Sequence, residues 1–90
     1  MVNAVKLLYG AKPPKRGTIP RFEREVLTPA TYWQASYRTV YGLTGGHHKD
    51  IWVVELTWNV KVPEYMLIRG RMYKVIKSID NVAYCERVNV

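Results

Sequence analysis

The sequence predicts an all-β domain, a small β-barrel or sandwich of five to seven mostly antiparallel strands with a long hairpin and a mobile loop. Three observations carry that prediction. From Ile51 to Val62, residues Trp52, Val54, Leu56, Trp58, Val60 and Val62 take every second position, with Glu55, Thr57, Asn59 and Lys61 between them. Turn signals recur at short intervals, at Arg69-Gly70-Arg71 and at Asp80-Asn81. No stretch carries a convincing helical period.

Val5, Leu7 and Tyr9 mark a first strand, followed by the basic, proline-containing loop Lys12-Pro13-Pro14-Lys15-Arg16-Gly17. Pro20 and Pro29 bracket a short edge strand holding Phe22 and Val26-Leu27. Thr31 to Tyr41 forms one leg of a hairpin, with Trp33, Ala35, Tyr37 and Tyr41 on one face and Gln34, Ser36 and Arg38 on the other. Ile51 to Val62, ended by Pro63, is the second leg. At about 3.3 Å per residue it spans roughly 40 Å, so it must coil around the core or project beyond it. Its tryptophans alternate with polar positions, which is the pattern of a buried stripe.

The link between the legs, Gly42-Leu43-Thr44-Gly45-Gly46-His47-His48-Lys49-Asp50, is too glycine-rich to hold a helix and too long for a two-residue turn. It predicts a mobile loop tip. Tyr65 to Ile68 and Met72 to Ile79 then flank the Arg69-Gly70-Arg71 turn, and Val82 to Val90 forms a last strand with Val82, Tyr84, Val88 and Val90 on one face.

Ninety residues, 48% of them hydrophobic, suit a single domain over 1–90 and leave no room for a multi-step enzyme. Such a chain compacts to a radius of gyration of about 12 Å, too small for one copy to enclose a DNA duplex. Fourteen Lys and Arg against seven Asp and Glu give a formal charge of +7, which favours phosphates, anionic surfaces or an acidic partner. The single cysteine, Cys85, forms no internal disulfide, and an intracellular origin is the simplest expectation. The N-terminus lacks a basic flank before an apolar run, and no window approaches eighteen apolar residues, so neither a signal peptide nor a membrane span is expected.

Catalytic chemistry finds little support. His47 and His48 are adjacent, and in an extended chain adjacent side chains diverge and chelate one ion poorly. Cys85 has no assigned base beside it and reads as packing. The carboxylates Glu23, Glu25, Asp50, Glu55, Glu64, Asp80 and Glu86 are scattered, and no phosphate loop, dinucleotide fingerprint or serine elbow occurs. No enzyme activity, metal or cofactor is predicted.

Two basic groups remain: Lys12, Lys15, Arg16, Arg21 and Arg24 near the first loop, and Arg69, Arg71, Lys74 and Lys77 around the late hairpin, where Tyr65 to Ile79 contains no acid. Interleaved with Tyr65 and Tyr73, the second group would grip phosphates and stack bases in a small nucleic-acid-binding barrel. The plainer reading is a solvated face whose lysines block edge-to-edge aggregation.

Taken in order, these features resemble the small β-barrel head-closure, or stopper, proteins that join head and tail in tailed bacteriophages. The resemblance is carried by an N-terminal strand and polar loop, then by Tyr32-Trp33-Gln34-Ala35-Ser36-Tyr37, similar to that family's aromatic-Trp-Ala strand entry. A long loop and a long alternating strand follow. Tyr65-Met66-Leu67-Ile68-Arg69-Gly70-Arg71-Met72-Tyr73-Lys74-Val75-Ile76 is similar to the family's apolar strand, glycine turn and tyrosine-containing return strand, and Ile79-Asp80-Asn81 with a terminal strand holding Glu86 completes the order. The likeness runs from about Val5 to Val88 in short, degenerate pieces. One departure stands out: the family often carries a helix after the Trp-Ala strand, where Gly42 to Asp50 predicts none.

The resemblance implies a virion protein, assembled in the host cytoplasm, that forms a ring of roughly six or twelve copies. The ring would close the DNA exit channel after packaging and dock the tail. Its partners would be copies of itself, a connector or adaptor protein on the head side, tail proteins on the other side and the packaged DNA, with no membrane. Gly42, Thr44, Gly45, Gly46, His47, His48 and Lys49 would then form a channel or gating loop, since glycines ease rearrangement. Lys12, Lys15, Arg16, Arg21, Arg24, Arg69 and Arg71 would contact a partner protein or DNA.

Overall fold

Period-two alternation closes into a barrel. The computed structural model describes residues 3–12, 21–44 and 50–88, and these fold as β1 (Ala4–Tyr9), β2 (Arg24–Gln34), α1 (Tyr37–Thr44), β3 (Ile51–Leu56), β4 (Tyr65–Ile68), β5 (Arg71–Ile79) and β6 (Val82–Arg87). The strands form one closed antiparallel barrel in the order β1-β2-β3-β6-β5-β4. The all-β expectation therefore holds, as the closed form of the two architectures predicted. The radius of gyration is 12.9 Å, with extents of 34 × 33 × 22 Å.

Alternate residues of each strand fill the interior. Val5 and Leu7 of β1, Ala30 of β2, Val54 and Leu56 of β3, Met66 and Ile68 of β4, Tyr73 of β5 and Ala83 and Cys85 of β6 form one buried cluster. At about 1.5–3 kcal/mol per buried large aliphatic side chain, this cluster is the main stabilising term of the fold. The interior is filled by side chains and leaves no channel through a single copy. The stripe of β6 that faces this core is Ala83 and Cys85, while Val82 and Tyr84 face outward, half-buried.

Two expectations about the hairpin are corrected. β3 stops at Leu56 instead of running to Val62, because both backbone groups of Leu56 are taken by Asn81 of the β5–β6 turn: its N–H donates to the Asn81 carbonyl at 2.8 Å and its carbonyl accepts Asn81 Nδ2 at 2.7 Å. Val60 and Val62 still pack on the core, from a segment without strand pairing. No projecting arm exists among the described residues. Trp52 is half-buried against the core, but Trp58 is exposed and Trp33 faces outward opposite Val53, so the buried tryptophan stripe reduces to one residue.

The first leg ends at Gln34, and α1 occupies Tyr37 to Thr44, where a strand and then a helix-free loop were expected. Ser36 starts it. Its Oγ accepts the Thr39 N–H at 3.3 Å and its carbonyl accepts the Val40 N–H at 3.0 Å, the arrangement of a helix N-cap. Gly42 and Thr44 are therefore helical.

The short edge strand bracketed by prolines is also corrected. β2 is eleven residues long and runs straight through Pro29. Its first half pairs with β1, from Arg24 opposite Tyr9 to Pro29 opposite Ala4, and its second half pairs with β3, from Ala30 opposite Leu56 to Gln34 opposite Trp52. Pro29 lies at the handover, where its missing N–H falls outside both ladders.

Candidate functional site

Antiparallel geometry decides which side of β2 is open. The Ala30 N–H donates to the Asn3 carbonyl at 2.9 Å, so even-numbered residues of β2 turn their backbone groups to β1. Odd-numbered residues turn theirs to β3, as the Thr57 N–H to Pro29 carbonyl bond at 3.1 Å shows. After Thr57 the chain leaves, and no backbone bond joins Glu25 or Leu27 to it. The N–H and C=O of both residues thus line a strand edge that is unpaired among the described residues, and Leu27 beside it is 71% exposed.

A groove of about 790 Å³ separates this half of β2 from the departing segment. Leu8, Val26, Val60 and Val62 supply its apolar lining, with Arg24, Lys61 and Glu64 among its polar residues. Tyr9 holds one side in place. Its hydroxyl donates to the Lys61 carbonyl at 2.7 Å, and the Arg24 guanidinium lies over its ring at 4.5 Å. Further apolar exposure lies on the outer wall at Trp33, 45% exposed, and Ile79, 52% exposed.

The predicted cations divide between two ends of the barrel. Lys12, Arg21 and Arg24 follow or face the end of β1, where Lys12 ion-pairs with Glu23 at 3.7 Å and bridges Arg21 through its backbone. Arg69 and Arg71 flank the β4–β5 turn, and because β4 runs antiparallel to β1 they sit at the opposite end of that ladder. Lys15 and Arg16 lie outside the described residues, as do Gly45, Gly46, His47, His48 and Lys49 of the expected gating loop.

The aromatic residues expected to stack bases are otherwise engaged. Tyr73 is 3% exposed, and Tyr65 meets Phe22 edge-on at 5.6 Å. Burial raises the Tyr73 pKa, with the Asp50 carboxylate adding to the shift. Cys85 is fully buried, its thiol donating to Met66 Sδ at 3.8 Å, and burial pushes its pKa up to about 12. It stays protonated and unreactive at neutral pH. Among the described residues no group of three His, Cys, Asp or Glu could hold a metal ion, and no helix is long and apolar enough to cross a membrane.

Sequence reasoning missed the open β2 edge, although a proline inside a strand of β-branched and aromatic residues signals that a ladder is interrupted there. Compared with known protein families, curated proteins and solved structures, the chain matches none of them.

Proposed function

We propose that this chain is a structural component of the head–tail junction of a tailed bacteriophage, forming a ring that closes the DNA exit after packaging and docks the tail. The observation that carries this reading is the open half of β2: an unpaired backbone edge beside exposed Leu27, on a barrel too small and too full to surround DNA alone. Strand addition at such an edge joins one copy to the next through main-chain hydrogen bonds, while the apolar groove takes alternate side chains. A heterologous contact of this kind closes into a ring when its rotation divides a full turn.

The order of features in the sequence resembles that of the head-closure proteins, although β3 ends at Leu56 short of the long strand in that order, and α1 lies after the Trp-Ala strand, where that family often carries a helix. The charge of +7 suits a channel that passes DNA or an acidic neighbour.

The competing reading, a small nucleic-acid-binding barrel, rests on the same charge. It is less well supported, because the cations split between two ends and Tyr73 and Tyr65 present no open stacking face.

Removing the protein from the phage that encodes it tests the proposal. Filled heads that lack tails and leak DNA are the expected product. Normal tailed particles would overturn it. Shortening the stretch between Thr44 and Asp50 tests the gating role separately: unchanged DNA retention in filled heads would remove that role and leave the ring.

A further inference from the structure

At the other end of the barrel, alternation aims charge inward. On β5 and β6 the core-facing residues are Tyr73 and Val75, and Ala83 and Cys85. Stepping two residues outward along each strand gives Arg71 and Arg87, the last core-facing positions before the barrel opens. Tyr73 is directly opposite Arg87 in the ladder; burial and then the Asp50 carboxylate raise its pKa, and the Arg87 and Arg71 guanidinium groups act in the opposite direction. A cleft of about 190 Å³ lies here, lined by Trp52, Ile68, Arg69, Arg71 and Tyr73. Trp52 and Tyr73 meet edge-on at 6.3 Å and form its wall.

Among the described residues, Arg69, Arg71 and Arg87 make no ion pair. The acid at this end, Asp50, accepts the Trp52 indole N–H at 3.0 Å, and its backbone carbonyl accepts the Arg87 N–H at 3.0 Å. The turn itself points the same way. Arg69 has φ 54° and Gly70 φ 78°, a two-residue turn with both residues left-handed, where asparagine before glycine is the relaxed choice. An arginine held in that conformation stores strain while lining the cleft.

We propose that this mouth of the barrel binds a phosphate group, held by the guanidinium groups of Arg71 and Arg87 with Arg69 over it and the Tyr73 hydroxyl as a further donor. The planar forks of arginine match phosphate oxygens in a way that point charges do not. The volume accommodates one tetrahedral anion with part of its ester substituent. This inference does not depend on ring formation.

The test is an amide and indole NMR titration of the full chain with sodium phosphate, against sodium chloride at matched ionic strength. Saturating shifts at the Trp52 indole and at the amides of Gly70, Arg71 and Arg87, absent in chloride, are expected. Arg71→Gln and Arg87→Gln each weaken binding at least tenfold, on the order expected for one lost charge-assisted contact, while Lys6→Gln on the outer wall changes nothing. Arg69→Asn separates function from folding: it relaxes the turn and raises Tm by about 4 °C, yet lowers phosphate affinity several-fold. Repeating the titration with oligothymidylate distinguishes the source. Saturation at lower concentration than free phosphate indicates the phosphodiester of a strand, and shifts with phosphate alone indicate the free anion. Non-saturating shifts equal in chloride, or wild-type affinity in all three arginine variants, would overturn the proposal.

Discussion

The amide of Thr57 donates to the carbonyl of Pro29 at 3.1 Å, and it is the last backbone hydrogen bond between β2 and the chain leaving β3. N-terminal to it, that side of β2 has no backbone partner among the described residues. A closed barrel normally abolishes edges, but a long strand that changes partners half-way keeps one along the half its second partner has left. Glu25 and Leu27 occupy that half, and a neighbouring copy has both hydrogen bonds and an apolar groove to gain there.

Proline substitution separates the two sides of β2. Leu27→Pro removes an N–H that points to the open edge, so the monomer loses about 1 kcal/mol or less while strand addition is blocked. Val26→Pro removes an N–H turned to β1 and costs about 1–3 kcal/mol by leaving its ladder acceptor unpaired. Urea unfolding and sedimentation of the two variants read these effects. A self-associating Leu27→Pro variant would show that the edge is not the contact.

Gly10 is constrained twice. Its φ is +71°, and a Cβ there meets the side chain of Glu23, the residue that ion-pairs with Lys12, at 2.8–2.9 Å. Gly10→Ala is expected to cost about 1–2 kcal/mol in urea unfolding through the left-handed conformation alone, with the clash adding to it.

Helix α1 depends on its cap. Ser36→Ala removes the acceptor of the Thr39 N–H and costs about 1 kcal/mol, read as faster amide exchange across Thr39 to Gly42. Gly42→Ala acts oppositely. Open space surrounds the new methyl group, and exchange slows by about 0.5–1 kcal/mol of added helix stability.

Cys85 sets a high-pH limit on stability. Its folded pKa is raised from an ordinary 9.0 to about 12 by burial, so between those values the native state keeps a proton that the unfolded chain has released. Stability from this group is fully present below pH 9 and falls as pH rises toward 12, at roughly 1.4 kcal/mol per pH unit. Tyr73, raised by burial and then by Asp50, adds a second loss above its ordinary 10.0. In urea titrations between pH 7 and 11, Cys85→Ala is expected to move the onset from about 9 to about 10. An unmoved onset would mean that the thiol does not control it.

The strands were legible because alternation reports which side chains are buried. The same signal misplaced the end of β3. Val60 and Val62 alternate inward as a strand would, yet pack on the core without pairing, because Asn81 has taken both backbone groups of Leu56. Period two is a record of burial, and hydrogen bonding is decided by what reaches the backbone first. Helix α1 was hidden for a different reason. Eight residues containing Gly42 carry little periodic signal, and the Ser36 cap was the only strong local mark of its start. At the basic mouth, Arg69, Arg71 and Tyr73 stood out as a cluster in sequence. Arg87 and Trp52 did not, since β6 and β3 bring them there across the barrel.

The most direct test of the central claim is the mass of the purified chain in solution, alone and with a generic DNA duplex, across a salt series. A ring of defined mass, or a monomer that ignores the duplex until its partner is supplied, is expected, with ring formation lost in Leu27→Pro. A monomer that binds duplex tightly, with log K falling steeply as log salt rises, would contradict it and make the chain a nucleic-acid-binding barrel.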